Sequence, residues 1–171
     1  MKPHSWTSGT HSAYGMPWEM LRTTKLTPDG RGIDIITKGG SLTQYYTTII
    51  LIPEFGLGVT ILVAGDYGAL PDLRENVIAT LVPAAEKLIR DEVRKVHSGL
   101  YASSHDSFGP PDLNWSLKID VDDIGPGLRV KDWISNGTDF MTVYGKFAGM
   151  PSDPTKWQAR LLPTNMRAGS M

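Results

Sequence analysis

The chain has 171 residues, of which 40% are hydrophobic and 20% charged, with 18 Gly, 12 Pro, no Cys and a formal net charge of −1. This composition describes a globular protein rich in turns; it excludes a disulfide scaffold, thiolate metal sites and a cysteine nucleophile, and its charge makes no case for nucleic acid. No apolar run reaches the roughly 18 residues that cross a bilayer, so no transmembrane segment is expected, and the N-terminal MKPHSWTSGTHSAYG lacks the apolar stretch of a signal peptide.

Residues 1–13 are polar and without period, and read as a flexible lead-in. Met16 to Leu26 reads as a strand with Trp18, Met20 and Arg22 on one face, stopped by the turn Pro28-Asp29-Gly30. Ile33 to Lys38 is its hairpin partner, with Ile33, Ile35 and Thr37 on one face and Asp34, Ile36 and Lys38 on the other. Gln44 to Ile52 follows as a strand, Pro53-Glu54-Phe55-Gly56 turns the chain, and Gly58 to Ala64 returns as an apolar run of the kind buried on both faces.

Pro71 to His97 then carries a helical pattern. Leu73, Val77, Leu81, Ala84, Leu88 and Ile89 recur at the spacing of an inner face, with Glu86/Arg90 and Asp91/Lys95 as i,i+4 pairs on the wet side. Pro83 predicts a kink or two abutting helices, because proline inside a helix removes a hydrogen bond and costs about 3 kcal/mol. After Gly99 the pattern is again β, in short pieces: Leu100–Ala102, Trp115–Val121, Leu128–Ile134, Asp139–Phe147 and Trp157–Leu162. The expected division is a lead-in over 1–13, a mixed α/β domain over 14–97 and an antiparallel β domain over 98–171.

Few residues carry a chemical signal. Lys38-Gly39-Gly40-Ser41 ends a strand: the lysine can project an ammonium into a cleft, the glycines admit a ligand close to the backbone, and the next N–H can donate to an oxyanion. By itself the motif more readily describes a glycine-punctuated strand end with a solvated lysine. His4, His11, His97 and His105 have no metal-ligand spacing, so no metal is expected, and nothing implies a cofactor. Asp120, Asp122 and Asp123 read as a solvated turn rather than a calcium loop. Trp115, Trp133 and Trp157 are candidates to line a ligand pocket, or simply core. Asn114-Trp115-Ser116 and Asn136-Gly137-Thr138 are N-glycosylation candidates at Asn114 and Asn136, of consequence only in the secretory pathway. There is no Gly-x-Ser-x-Gly elbow, no Ser-x-x-Lys, and no Tyr-x-Asn or Ser-x-Asn.

Several ordered motifs together resemble a known family. They are Tyr14-Gly15-Met16-Pro17-Trp18-Glu19, Thr37-Lys38-Gly39-Gly40-Ser41 with Tyr45-Tyr46, Leu51 to Gly58, and Val63-Ala64-Gly65. They resemble the later part of fungal serine β-lactamase-related proteins, relatives of penicillin-binding proteins and class C β-lactamases. Gly99-Leu100-Tyr101, Gly125 to Leu128, Trp133 to Phe140 and Trp157 to Pro163 look like the β domain that some of these proteins append at the C-terminus.

The resemblance implies an α+β fold: a partial antiparallel β-lactamase-like sheet with a C-terminal helix, followed by an all-β, lipocalin-like domain forming an incomplete barrel. It implies that Lys38 is the cation of the family's third box, that Gly39 and Gly40 give close backbone approach, and that the Ser41 N–H is an oxyanion donor. The parent activity would be acyl transfer through a serine ester on a small ester or amide substrate. The Ser-x-x-Lys and Tyr-x-Asn boxes are missing, so the chain is expected to be a truncated piece, inactive alone and open to complementation by an N-terminal half. Members of the family are often secreted. The competing expectation is a non-enzymatic module whose β domain holds an apolar ligand between Trp115, Trp133 and Trp157, or binds a partner protein.

Overall fold

A computed structural model describes residues 3–7, 9, 11–103, 114–151, 153 and 156–162. The chain forms two compact units, residues 1–89 and 90–171.

The first unit is a six-stranded antiparallel sheet in sequence order: β1 (Ser5–Trp6), β2 (Ser12–Gly15), β3 (Trp18–Thr23), β4 (Ile33–Leu42), β5 (Tyr45–Ile52) and β6 (Leu57–Ala64). Residues 5–6 and 12–13, expected to be part of a flexible lead-in, therefore lie in strands, and Ala13 is buried against Met20 and Ile36. Alternation along β4 gives the sheet two different faces. Ile33 and Ile35, with Ile50 and Ile52 of β5, pack under Ile78 and Val82 of the long helix α1 (Ala69–His97). Burying one such side chain stabilises the fold by about 1.5–3 kcal/mol. The opposite face holds the smaller cluster of Ala13, Met20 and Ile36, with Trp18 and Leu51 partly covering it.

Four expectations for the sheet and α1 change. β6 is not buried on both faces: it is an edge strand whose residues alternate between half-buried and exposed, with Leu62 79% accessible, because only the α1 side of the sheet has a covering layer there. On α1 the buried face is Leu70, Ile78 and Val82 rather than Leu73, Leu81, Leu88 and Ile89, which are exposed. Glu86 and Arg90, expected on the wet side, are buried. Glu86 accepts hydrogen bonds from Arg31, and Arg90 donates to the carbonyls of Asp122 and Gly125, so their charges are met inside the protein. Finally, α1 runs as a single helix through Pro83, which lies on the exposed side where water can serve the carbonyl it leaves free.

In the second unit, β7 (Gly99–Ala102), β8 (Trp115–Asp120), β9 (Leu128–Ser135) and β10 (Thr138–Asp139) form a sheet, and β11 (Ala159–Leu161) pairs with the start of β9. The described strands form an open antiparallel sheet; none closes into a barrel, because β7 and the β10/β11 side are not paired to each other. Asn136 (φ 50°) and Gly137 (φ 72°) make the two-residue turn between the paired Ser135 and Thr138, the positive-φ geometry that suits a twisted hairpin.

Asp139–Phe147, expected as a strand, is mostly the helix α2 (Phe140–Phe147). The Asp139 side chain caps it, accepting from the Met141 and Thr142 N–H groups and from the Thr142 hydroxyl at 2.6 Å. This cap, with Met141 and Gly145 buried, outweighs the β propensity of Phe140, Val143 and Tyr144. Asp122 is not solvated either. Its carboxylate accepts from Arg160 at 2.7 Å, from Arg129 at 3.4 Å and from the Ile124 and Gly125 N–H groups. Burial alone would raise this carboxyl, but the Arg160 and backbone hydrogen bonds outweigh it and hold it below the usual carboxylate range.

Candidate active-site edge

An unpaired stretch of backbone in the first unit lies where β4 outruns β3. The register Glu19↔Thr37 is the last pair between them, whereas β4 continues to Leu42 against β5. From Lys38 onward, one side of β4 therefore has no strand beside it among the described residues.

Which groups face that open side follows from the ladder. Gly65 N–H donates to the Gln44 carbonyl at 2.8 Å, so the even residues of β5 bond to β6 and the odd ones to β4. Through the pairs Ile49↔Lys38, Thr47↔Gly40 and Tyr45↔Leu42, the even residues of β4 use their backbone groups on β5. The N–H and C=O of Gly39 and Ser41 are left pointing to the open edge. Both glycines are exposed, and a Cβ at Gly40 would sit 3.2 Å from Thr47 Cγ2, tight enough that this methyl group would have to shift by a few tenths of an ångström.

Around this edge lies a cleft of about 450 Å³. Lys38 Nζ donates to the Gly39 carbonyl at 3.1 Å and lies 3.6 Å from Glu19 Oε1, across the end of the β3–β4 pair. Thr37, Thr48, Tyr67, Leu70 and Arg74 line the remainder. Tyr67 is held by an edge-on contact with Tyr46, ring centroids 5.0 Å apart, and the Leu70 N–H bonds the Tyr67 carbonyl where α1 begins. Arg74 has no ion pair among the described residues, so the cleft carries two cations against one carboxylate. Chemically it can receive a polar group of negative or developing negative charge beside an exposed strand edge.

The structure thus brings Lys38, Gly39, Gly40 and Ser41 together with residues that sequence reading missed. Glu19 had a usable signal, its register opposite Thr37; Tyr67 and Arg74 had none, because only the fold of α1 over the sheet brings them there. Of the tryptophans, Trp133 and Trp157 are joined through rings: Trp133 to Phe140 at 4.1 Å, Phe140 to Tyr144 at 5.7 Å and Tyr144 to Trp157 at 6.3 Å. Trp115 has no part in that series and is 40% accessible. Neither the cleft nor the neighbouring apolar groove lined by Leu42, Tyr45, Thr47 and Leu62 includes any of the three. Asn114 and Asn136 are both exposed, and the Asn136 N–H bonds the Asn114 carbonyl, which sets the two sequons side by side.

The antiparallel sheet backed by a long helix is mixed α+β, as the sequence motifs imply. Comparison with known proteins bears on the family. Residues 89–170 match the family described as "Beta-lactamase-like-like, C-terminal domain". The chain is similar to the "Probable hydrolase clz13" of Cochliobolus lunatus, 30% identical over 95% of this chain and 26% of that protein. It is similar to the "Probable hydrolase M10" of a Phoma species, 30% identical over 95% of this chain and 27% of that protein. It also resembles a "Beta-lactamase-like protein" of Arthroderma benhamiae, 34% identical over 81% of this chain and 22% of that protein. No solved structure matches. Residues 89–170 belong to the C-terminal domain of this β-lactamase-like family, and the chain spans about a quarter of the length of the curated relatives it matches.

Proposed function

We propose that this chain supplies one wall of the acyl-transfer site of a serine β-lactamase-like hydrolase. In this reading an ester or amide carbonyl lies along the open edge of β4, its oxygen receiving the Ser41 N–H while Lys38 orients the substrate and the catalytic hydroxyls. A serine activated by a lysine three residues later attacks that carbonyl, forming an acyl ester and releasing the alcohol or amine, and water then cleaves the ester. The carbonyl oxygen becomes an oxyanion in both steps, and a preorganised N–H stabilises it most when the charge is greatest.

The observation that carries the reading is the outward-facing Ser41 N–H on a strand edge that two glycines keep free of side chains. The serine, its lysine and the tyrosine of the second box are absent from this chain, so by itself it is inactive. A hybrid tests the assignment: this chain replaces the corresponding segment of the Cochliobolus lunatus relative, and ester hydrolysis is measured. Ser41→Pro removes the N–H without touching the bonds to β5, and should lower kcat about 10²–10³-fold with little change in KM. A kcat within a few-fold of the parent hybrid would remove Ser41 from the mechanism.

A further inference from the structure

Two places in the sequence set an Asp or Asn side chain directly before a glycine nitrogen: Asp29-Gly30 and Asn136-Gly137. Such a pair can close a succinimide ring, because glycine has no side chain to obstruct its nitrogen as it approaches the preceding carbonyl carbon. The other asparagines, Asn76, Asn114 and Asn165, precede Val77, Trp115 and Met166. The fold protects the first glycine pair. The Asp29 side chain is 0% accessible and accepts from the Arg31 N–H and guanidinium, while the Gly30 N–H donates to the Thr27 carbonyl at 3.1 Å. A carboxylate is a poor electrophile, and here the nitrogen that would attack it is already engaged.

The second pair has none of this protection. Asn136 is exposed, and its side-chain amide makes no hydrogen bond among the described residues. Its backbone N–H goes to the Asn114 carbonyl, and Ser135 is paired with Thr138. The Gly137 N–H, at the tip of the turn, is therefore left without a partner among the described residues. A Cβ built on Gly137 would meet nothing within 4 Å, so the approach of its nitrogen is unobstructed.

We propose that Asn136 is a site of intramolecular deamidation whose product loosens the β9–β10 hairpin. Base removes the Gly137 amide proton and the nitrogen attacks Asn136 Cγ. The new N–Cγ bond forms, the bond from Cγ to the side-chain nitrogen breaks, and that nitrogen leaves as ammonia after taking up a proton. Water then opens the succinimide at one of its two carbonyls. Opening at Cγ leaves an aspartyl residue; opening at the main-chain carbonyl leaves an isoaspartyl residue, whose backbone runs through Cβ and Cγ and is one methylene longer. A two-residue turn closed by the Ser135–Thr138 pair has no slack for that methylene. β10 is only Thr138–Asp139, and Asp139 caps α2, so the isoaspartyl form loses both the pairing and the cap geometry. The reaction draws on residues 136 and 137 and water alone, and so needs no partner and no further segment of the protein.

The purified 171-residue chain, held folded at mildly alkaline and at mildly acidic pH, is followed by isoelectric focusing and peptide mass mapping. An acidic form should accumulate, faster at alkaline pH, carrying one negative charge beyond the formal −1. The change should map to Asn136 alone and divide between aspartyl and isoaspartyl products, the latter labelled by an isoaspartyl methyltransferase. Asn136→Gln should not form it; should that variant fail to fold, mapping on the unaltered chain still decides the matter. Freshly prepared Asn136→Asp, which supplies the aspartyl product directly, should melt close to the parent, whereas the separated isoaspartyl form should melt lower. In urea Asp29 should begin to isomerise as well, because only the fold protects it. An Asn136 that stays intact in the folded chain while the denatured chain converts, earlier conversion at Asn76 or Asn114, or an isoaspartyl form as stable as the parent would each overturn the proposal.

Discussion

Arg31→Met isolates the ion network that ties the β3–β4 turn to α1. The Arg31 guanidinium reaches Glu86 Oε1 at 2.9 Å and also bonds Oε2, and it contacts Asp29 Oδ2 at 3.0 Å and Glu54 Oε1 at 2.7 Å. Hydrogen bonds to Glu86 raise its affinity for the proton, against the opposing effect of partial burial. The Glu54 contact is 40% accessible on the carboxylate side and is worth about 0–1 kcal/mol. Glu86 and Asp29 are different: their side chains are 6% and 0% accessible, so losing the cation they share leaves buried negative charge less well compensated, at a cost of about 3 kcal/mol. Methionine keeps most of the stem packing, and the guanidinium contact with the Phe55 ring, 5.9 Å to the centroid, contributes only about 0.5 kcal/mol. Urea unfolding followed by far-ultraviolet circular dichroism should thus show a loss of about 3 kcal/mol, with part of it recovered in Arg31→Met/Glu86→Met because one of the two buried carboxylates is then gone while Asp29 remains. A loss below about 1 kcal/mol, or a double variant no better than the single one, would refute the reasoning.

Two further outcomes follow from named contacts in the second unit. Asp122 has a folded-state pKa below its unfolded value, so its contribution to stability is present above about pH 4 and is lost as pH falls through the folded value. Asp122→Asn should therefore be less stable at pH 7 yet show a flatter decline of stability below about pH 5; an unchanged acid limb in urea titrations at stepped pH would contradict this. Asp139→Ala removes the cap of α2 and should cost about 1 kcal/mol, whereas Asp139→Asn should be nearly neutral, both read from thermal unfolding.

The parts of the fold written in a short period were legible in the sequence. Alternation placed Ile33 and Ile35 on one face and Asp34 and Ile36 on the other, and the turn at Pro53–Gly56 separated β5 from β6. What a period cannot say is whether a second layer exists, which is why β6 read as buried when it lies at an edge. The face of α1 was misread because apolar residues cover a wide arc of it, and the burial of Glu86 and Arg90 depends on partners far away in sequence. In α2 a local cap at Asp139 prevailed over side chains that favour strands. The candidate site was legible at Lys38–Ser41, where glycines mark a close approach, but not at Tyr67 or Arg74, which reach the cleft only through tertiary packing.

The central claim is that this chain forms a wall of an acyl-transfer site and holds no nucleophile of its own. Intact-mass measurement after exposure to a fluorophosphonate tests it most directly, on the 171-residue chain and on the hybrid with the Cochliobolus lunatus relative. The account predicts no adduct on the chain alone, and a single adduct on the hybrid that maps to a serine of the relative's segment. An adduct on Ser41 of the isolated chain would contradict it.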